Sequence, residues 1–307
     1  MSRYRIGLAL GGGAARGWSH IGVIEALLEA GIEPEFVAGT SIGAIVGGAL
    51  AAGRFDALKE WALTVDRGTI AGLVDVKLTT GGLVEGERIR QQMRDLGLGG
   101  PIEKLAIRFA AVATDLADGR EIWLEEGPLD VAIRASIGLP GIFSPWLVDD
   151  RWLVDGGLAN QIPVSTCRAL GSNFVIAVGL NDGMLSKHAA DMTPFPENGG
   201  PSVRARIVDM LSQVPGPWGA QAANAASQLL AGGPRSPGYF NVLANSLNIM
   251  QDRITRSRLA GEPPHAMISP RVSQIQLLDF HRAAEAIAAG RAAAEQALPF
   301  IEEQLTR

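Results

Sequence analysis

The chain has 307 residues, is 47% hydrophobic and carries 27 Lys+Arg against 32 Asp+Glu, a net charge of −5. That length and apolar content exclude global disorder, and 38 glycines beside few aromatics suit a layered α/β protein with many tight turns. The absence of any block of consecutive basic residues argues against a broad electrostatic grip on nucleic acid, and the lone Cys167 excludes an internal disulfide.

Met1–Arg5 holds two basic residues before a short apolar run that ends in a glycine loop, a pattern unlike a secretory leader. No uninterrupted apolar stretch reaches the ~18 residues that span a bilayer, so a cytoplasmic protein is expected. Ile6–Leu10 reads as a buried strand, Gly11–Gly17 as a loop, and Trp18–Ala30 as a helix closed by Gly31, with Ile21, Ile24, Leu27 and Leu28 at helical spacing. Phe36–Ala38 is a second strand. Residues 6–38 therefore form a βαβ unit, which implies parallel strands in a sheet covered on both faces.

An apolar, Ala/Gly-rich run follows from Ala44 to Ala52. Arg108–Ala113 is strand-like, Glu121–Leu124 returns beside it, and Leu129–Ser136 is helical. Trp146–Val148 and Arg151–Val154 form a hairpin across Asp149-Asp150, Cys167 sits as an inert residue in a helix after Pro163, and Phe174–Val178 is another buried strand. From Asn181 to Gly238 the chain is punctuated by prolines and Gly-Gly pairs and reads as an insertion, lid or mobile arm, with a helical pattern over Ala220–Leu230. The tail gives a helix over Val242–Leu259, a short strand at Ala266–Ile268, and helices over Gln276–Ala289 and Arg291–Gln304. The whole reads as one domain: a core of about residues 5–180, the insertion 181–238, and C-terminal helices 239–307 that complete it.

Chemistry concentrates at three places. Gly39-Thr40-Ser41-Ile42-Gly43 is a Gly-x-Ser-x-Gly pattern between strand and helix, where a serine projects from a sharp corner; an ordinary βα turn with a serine cap remains the plain alternative. Gly11–Gly17 follows strand one and opens helix one, so its backbone N–H groups can hold a phosphate or the oxyanion of a tetrahedral intermediate. The dinucleotide pattern G-x-G-x-x-G fails in its spacing, no Walker lysine follows, and a serine elbow one βα unit later favours the oxyanion. A base is still needed. His20, His188, His265 and His281 all lack a supporting context, whereas Asp155-Gly156-Gly157 puts a carboxylate at a strand end beside glycines that permit close approach. An Asp-Gly turn is the alternative there.

Together, Gly11–Gly17 with its arginine, the elbow Gly39–Gly43 and Asp155-Gly156-Gly157 resemble the patatin-like phospholipases, closest to the bacterial group with a GGGAARG loop. The likeness runs in order and spacing from residue 5 to about 180, and Gly81–Leu83, Leu139–Phe143 and Asp279–Arg282 are also similar. It implies a three-layer α/β sandwich with a mainly parallel central sheet, and hydrolysis of phospholipid or lysophospholipid acyl esters with neither metal nor cofactor. It further implies Ser41 as nucleophile, Asp155 as proton acceptor, and the amides of Gly12, Gly13 and Ala14 as an oxyanion hole, with Arg16 fixing the loop that Gly17 closes. The family pattern often has glycine where Ala14 stands. A rival reading keeps the fold but makes the protein a regulatory or interaction module, and a nucleotide-binding protein is the more distant one. The insertion, with Trp218 among its apolar residues, is expected to lie at the site rim and to make peripheral contact with a lipid surface that depends only weakly on salt.

Overall fold

Strand β1 (Ile6–Leu10) alternates large and small residues, and a strand sends alternate side chains to opposite faces. In the computed structural model, which describes residues 4–75, 84–180, 209, 221, 223–224 and 239–306, β1 lies inside an eight-stranded sheet. It pairs in parallel with β2 (Phe36–Thr40) on one edge and with a later strand, Phe174–Val178, on the other, so that Leu8 lies opposite both Val37 and Ile176. Next to β2 stands β3 (Arg108–Asp115), also parallel; β4 (Glu121–Leu124) and the hairpin β5 (Trp146–Val148) with β6 (Arg151–Asp155) complete that side antiparallel. Phe174–Val178 is β7, and β8 (Ala266–Ile268) extends it in parallel. The hairpin turns on Asp149 and Asp150, at φ 47° and 61°, the left-handed pair that a two-residue connection matching the strand twist requires.

The two faces are filled differently. Leu8, Leu10, Val37, Phe109, Ile176 and Val178 form one cluster with α1 (Ser19–Glu29), α2 (Ile42–Ala51) and a long C-terminal helix. Ala9, Ala38, Ala110 and Ala177 face the short helix Val164–Ala169, where Cys167 is fully buried. Small residues let that helix sit close: a Cβ on Gly7 would run into Cys167 Sγ. Burial also pushes the Cys167 thiol up to about 12, which keeps it an unreactive packing residue.

Between the elbow helix and β3 the chain adds α3 (Phe55–Thr64), α4 (Arg67–Leu73) and α5 (Glu87–Asp95), followed later by α6 (Leu129–Ser136) and α7 (Val164–Ala169). Helix α8 spans Tyr239–Gly261. The two expected C-terminal helices are a single one, α9 (Ala283–Thr306), preceded by a short 3-10 turn at Phe280–Arg282. Gly290, which reads as a break in sequence, is instead a contact point: a Cβ there would run into the Ser19 carbonyl, and one on Gly22 would run into the Ile287 carbonyl. The facing glycines bring α1 and α9 to close approach, and Arg291 beside them pairs with Glu25 and Glu29. The stretch read as insertion or lid, with Trp218 and Ala220–Leu230, lies outside the described residues save positions 209, 221, 223 and 224; Gly81–Leu83 lies outside them as well.

Candidate active site

Register along β3 brings two distant residues together. Ala113 pairs with Ile122 of β4 and with Asp155 of β6, and Ala111 pairs with Leu124 of β4 and Gly39 of β2. Since β4 takes one edge of β3, β2 and β6 share the other. β2 ends with Thr40 opposite Val112, and β6, running the opposite way, ends with Asp155 opposite Ala113. The C-terminal ends of the two strands therefore meet one rung apart, and Ser41 is the first residue beyond that meeting point.

Ser41 has φ 57° and ψ −122°, a strained conformation for a residue with a side chain and of the kind that concentrates at functional sites. Surrounding contacts impose it. A Cβ on Gly39 would overlap Gly43 and Ala44 backbone, and one on Gly43 would overlap the Leu10 carbonyl, so both glycines of the pattern answer to close backbone packing at the corner. The Ser41 N–H donates to Ser136 Oγ at 2.8 Å, and Ser136 Oγ–H donates onward to the Val112 carbonyl at 2.6 Å. Ser136 is fully buried at the end of α6 and holds the strained residue from behind. Helix α2 begins directly after Ser41, which sets the positive end of its dipole at the serine.

The half-buried Ser41 hydroxyl donates to Asp155 Oδ2 at 2.7 Å. The other oxygen, Oδ1, accepts the Gly157 N–H at 2.8 Å, and the backbone of Asp155 is fixed by bonds to Gly138 O and Thr114 Oγ1. A side chain on Gly156 would strike the Val112 carbonyl. Asp155 is 3% exposed, and burial pushes its carboxyl up to about 6 against the pull of the two hydrogen bonds from Ser41 and Gly157. It is thus mostly ionised at pH 7 yet basic enough to accept a proton.

The glycine loop lies alongside. Gly12 departs from expectation: its N–H donates to the Gln161 carbonyl at 3.0 Å and is not open to a ligand. Gly11 N–H bonds to Val178 O, whereas the N–H groups of Gly13 and Ala14 have no hydrogen-bond partner among the described residues. Ala14 stands at φ 50°, in the left-handed region that glycine occupies more easily. Chain from the far end of the sequence pins the loop: Ala15 N–H donates to Leu277 O at 3.1 Å, and Arg16 Nε to Ile275 O at 2.9 Å. Arg16 is buried, and desolvation lowers its pKa to about 10, so it keeps its charge at neutral pH. Gly17 passes against Ile42, in the space a side chain would need.

The histidines stand elsewhere. His20 is fully buried with Nε2 2.7 Å from the Gly11 carbonyl, and burial lowers its pKa to about 4. His265 stacks on Phe174 and accepts the Val175 N–H at Nδ1, while His281 lies in the turn before α9 and His188 falls outside the described residues. Among the described residues no group of three or more His, Cys, Asp or Glu is arranged to hold a metal ion, and no helix is long and apolar enough to cross a membrane. Sequence reading missed Ser136 and two amides near Asp155, Gln161 and Gln251, because nothing in their local sequence distinguishes them from ordinary helix or loop residues.

Comparison with known proteins places the chain in a family. A family model described as patatin-like phospholipase matches residues 8–168, a span that includes Gly12–Gly17, Ser41 and Asp155. An uncharacterised NTE family protein of Mycobacterium tuberculosis is 37% identical over 334 aligned residues, covering 97% of this chain and 92% of its own. Patatin-like phospholipase domain-containing protein 6 of Mus musculus is 33% identical over 200 residues, 63% of this chain and 14% of the mouse protein.

Proposed function

The chain belongs to the patatin-like phospholipase family, whose members act on lipid substrates, and from that premise we propose that it is a serine acyl-ester hydrolase acting on phospholipids or lysophospholipids through Ser41 and Asp155. The observation that carries this reading is the 2.7 Å hydrogen bond from the strained Ser41 hydroxyl to the buried Asp155 carboxylate. The sheet draws strands from residues 6 to 268 and α9 packs on α1, which supports one domain over the whole chain.

The chemistry runs in two steps. Ser41 Oγ attacks the acyl carbonyl carbon while its proton passes to Asp155 Oδ2, and negative charge builds on the carbonyl oxygen. Two amides, Gly13 and Ala14, are the donors left to receive it, two where the resemblance implied three. Asp155 returns the proton to the departing alcohol as the C–O ester bond breaks, leaving Ser41 acylated. Water then attacks the same carbon with its proton going to Asp155, the bond to Ser41 Oγ breaks, and the serine recovers a proton as the acid leaves.

Labelling with a fluorophosphonate tests this directly. The wild type is expected to be labelled at Ser41, and hydrolysis across a phospholipid and lysophospholipid panel to be lost in Ser41→Ala and in Asp155→Asn, with strongly non-additive effects in the double variant. Near wild-type turnover in a folded Asp155→Asn protein would remove Asp155 as the base.

A further inference from the structure

Three glycines in a row give Gly11–Gly13 great backbone freedom, and the N–H groups of Gly13 and Ala14 can be aimed at one point only if that freedom is removed. Downstream, the Ala15 N–H is tied to Leu277 O, and the Arg16 N–H turns back to Gly13 O at 3.3 Å. Upstream, the anchor is a single planar peptide unit, the one that joins Gly11 to Gly12. Its N–H donates to Gln161 O at 3.0 Å, and its C=O lies 2.7 Å from Nε2 of His20, in the first turn of α1. The two unengaged amides belong to the next two peptide units, between these tethers.

His20 is fully buried, and burial lowers its pKa to about 4, so at pH 7 the ring is neutral and carries one proton. A carbonyl only accepts, which puts that proton on Nε2. Nδ1 is then a bare acceptor, and it has no hydrogen-bond partner among the described residues. A leucine would fill the space without stranding a polar atom, so apolar packing does not account for an imidazole here. The bond to Gly11 does. Rotation of the Gly11–Gly12 unit would swing the Gly13 N–H off its line, and His20 resists it at the carbonyl end as Gln161 does at the amide end.

We propose that His20 is a positioning residue for the oxyanion-binding loop: its Nε2–H holds the Gly11 carbonyl and thereby aims the N–H groups of Gly13 and Ala14. It touches no substrate and exchanges no proton. This role rests on the acyl-enzyme reading given above.

The test compares His20→Leu and His20→Gln with wild type in the full chain. Glutamine carries an N–H donor about as far from the backbone as imidazole Nε2, and leucine carries none. With a p-nitrophenyl ester, His20→Leu should lose about 10-fold to 100-fold in kcat with KM within about 3-fold. A trifluoromethyl ketone, which Ser41 converts to a tetrahedral oxyanion, should bind more weakly by the same factor. His20→Gln should bring both back to within about 5-fold of wild type. A role in stability alone lowers the melting temperature while the folded enzyme keeps its kcat, or costs both variants the same activity; either result, or an unchanged inhibitor affinity beside a lowered kcat, would overturn the proposal. Nitrogen NMR of histidine-labelled wild type reads the tautomer with no substitution at all, and a proton on Nδ1 of His20 would overturn it even if neither variant folded. Failure of the wild type to label with a fluorophosphonate at Ser41, or to hydrolyse any ester, would instead overturn the underlying reading.

Discussion

Asp155→Asn should stabilise the protein, and only above a particular pH. The folded carboxyl titrates near 6 because burial disfavours its charge, against 3.8 for an unburied one. Between those values the folded state holds a proton that the unfolded state has released, so stability falls as pH rises from about 4 to about 6 and stays lost above. The gap of about two pH units corresponds to roughly 3 kcal/mol of destabilisation at pH 8. Asparagine cannot ionise, can still accept the Gly157 N–H at Oδ1, and offers an amide N–H to Ser41 Oγ. Allowing about 1 kcal/mol for the altered bonds, the variant should gain roughly 2 kcal/mol at pH 8 and little at pH 4. Denaturant unfolding of both proteins at intervals from pH 4 to 8 measures the difference. A flat difference across that range, or one that grows toward acid, would refute the argument that Asp155 is buried at the cost of its charge.

Three other outcomes follow from the same geometry. Ser136→Ala leaves the Ser41 N–H and the Val112 carbonyl without their shared partner, so unfolding free energy should drop by about 1–3 kcal/mol and kcat by about 10-fold or more, read by denaturant titration and ester turnover. Ala14→Gly relieves a left-handed alanine and should keep kcat while changing stability by no more than about 1 kcal/mol, in the stabilising direction. Gly290→Ala drives a methyl into the Ser19 carbonyl and should cost about 2 kcal/mol or more, whereas Gly31→Ala, at φ 74° with open space around it, should cost about 1 kcal/mol; melting temperatures of the pair distinguish clash from strain.

The parts of this fold that the sequence made legible are those where one local rule decides. β1, β2 and β7 announce themselves as apolar runs bounded by turns, and the paired aspartates at 149–150 mark their hairpin. Helices α3, α4 and α5 are not legible in the sequence, their patterns being short and interrupted by polar residues. Gly290 misled because glycine is both a helix breaker and the residue that lets helices touch, and only the partner surface on α1 tells which applies. Ser41 and Asp155 stood out through the glycines around them. Ser136, Gln161 and the engaged N–H of Gly12 did not, since each depends on what lies across space from it, and a single sequence gives no sign of that.

The anchoring of the glycine loop by Ile275 and Leu277 has a meaning in time. Ribosomes release the serine, then the aspartate, and only after another hundred and more residues the two carbonyls that shape the loop. A nascent chain holds Ser41 and Asp155 while the N–H groups of Gly13 and Ala14 are still unmoored. On the proposed reading, competence therefore waits for Ile275 and Leu277 and not for the serine and the aspartate.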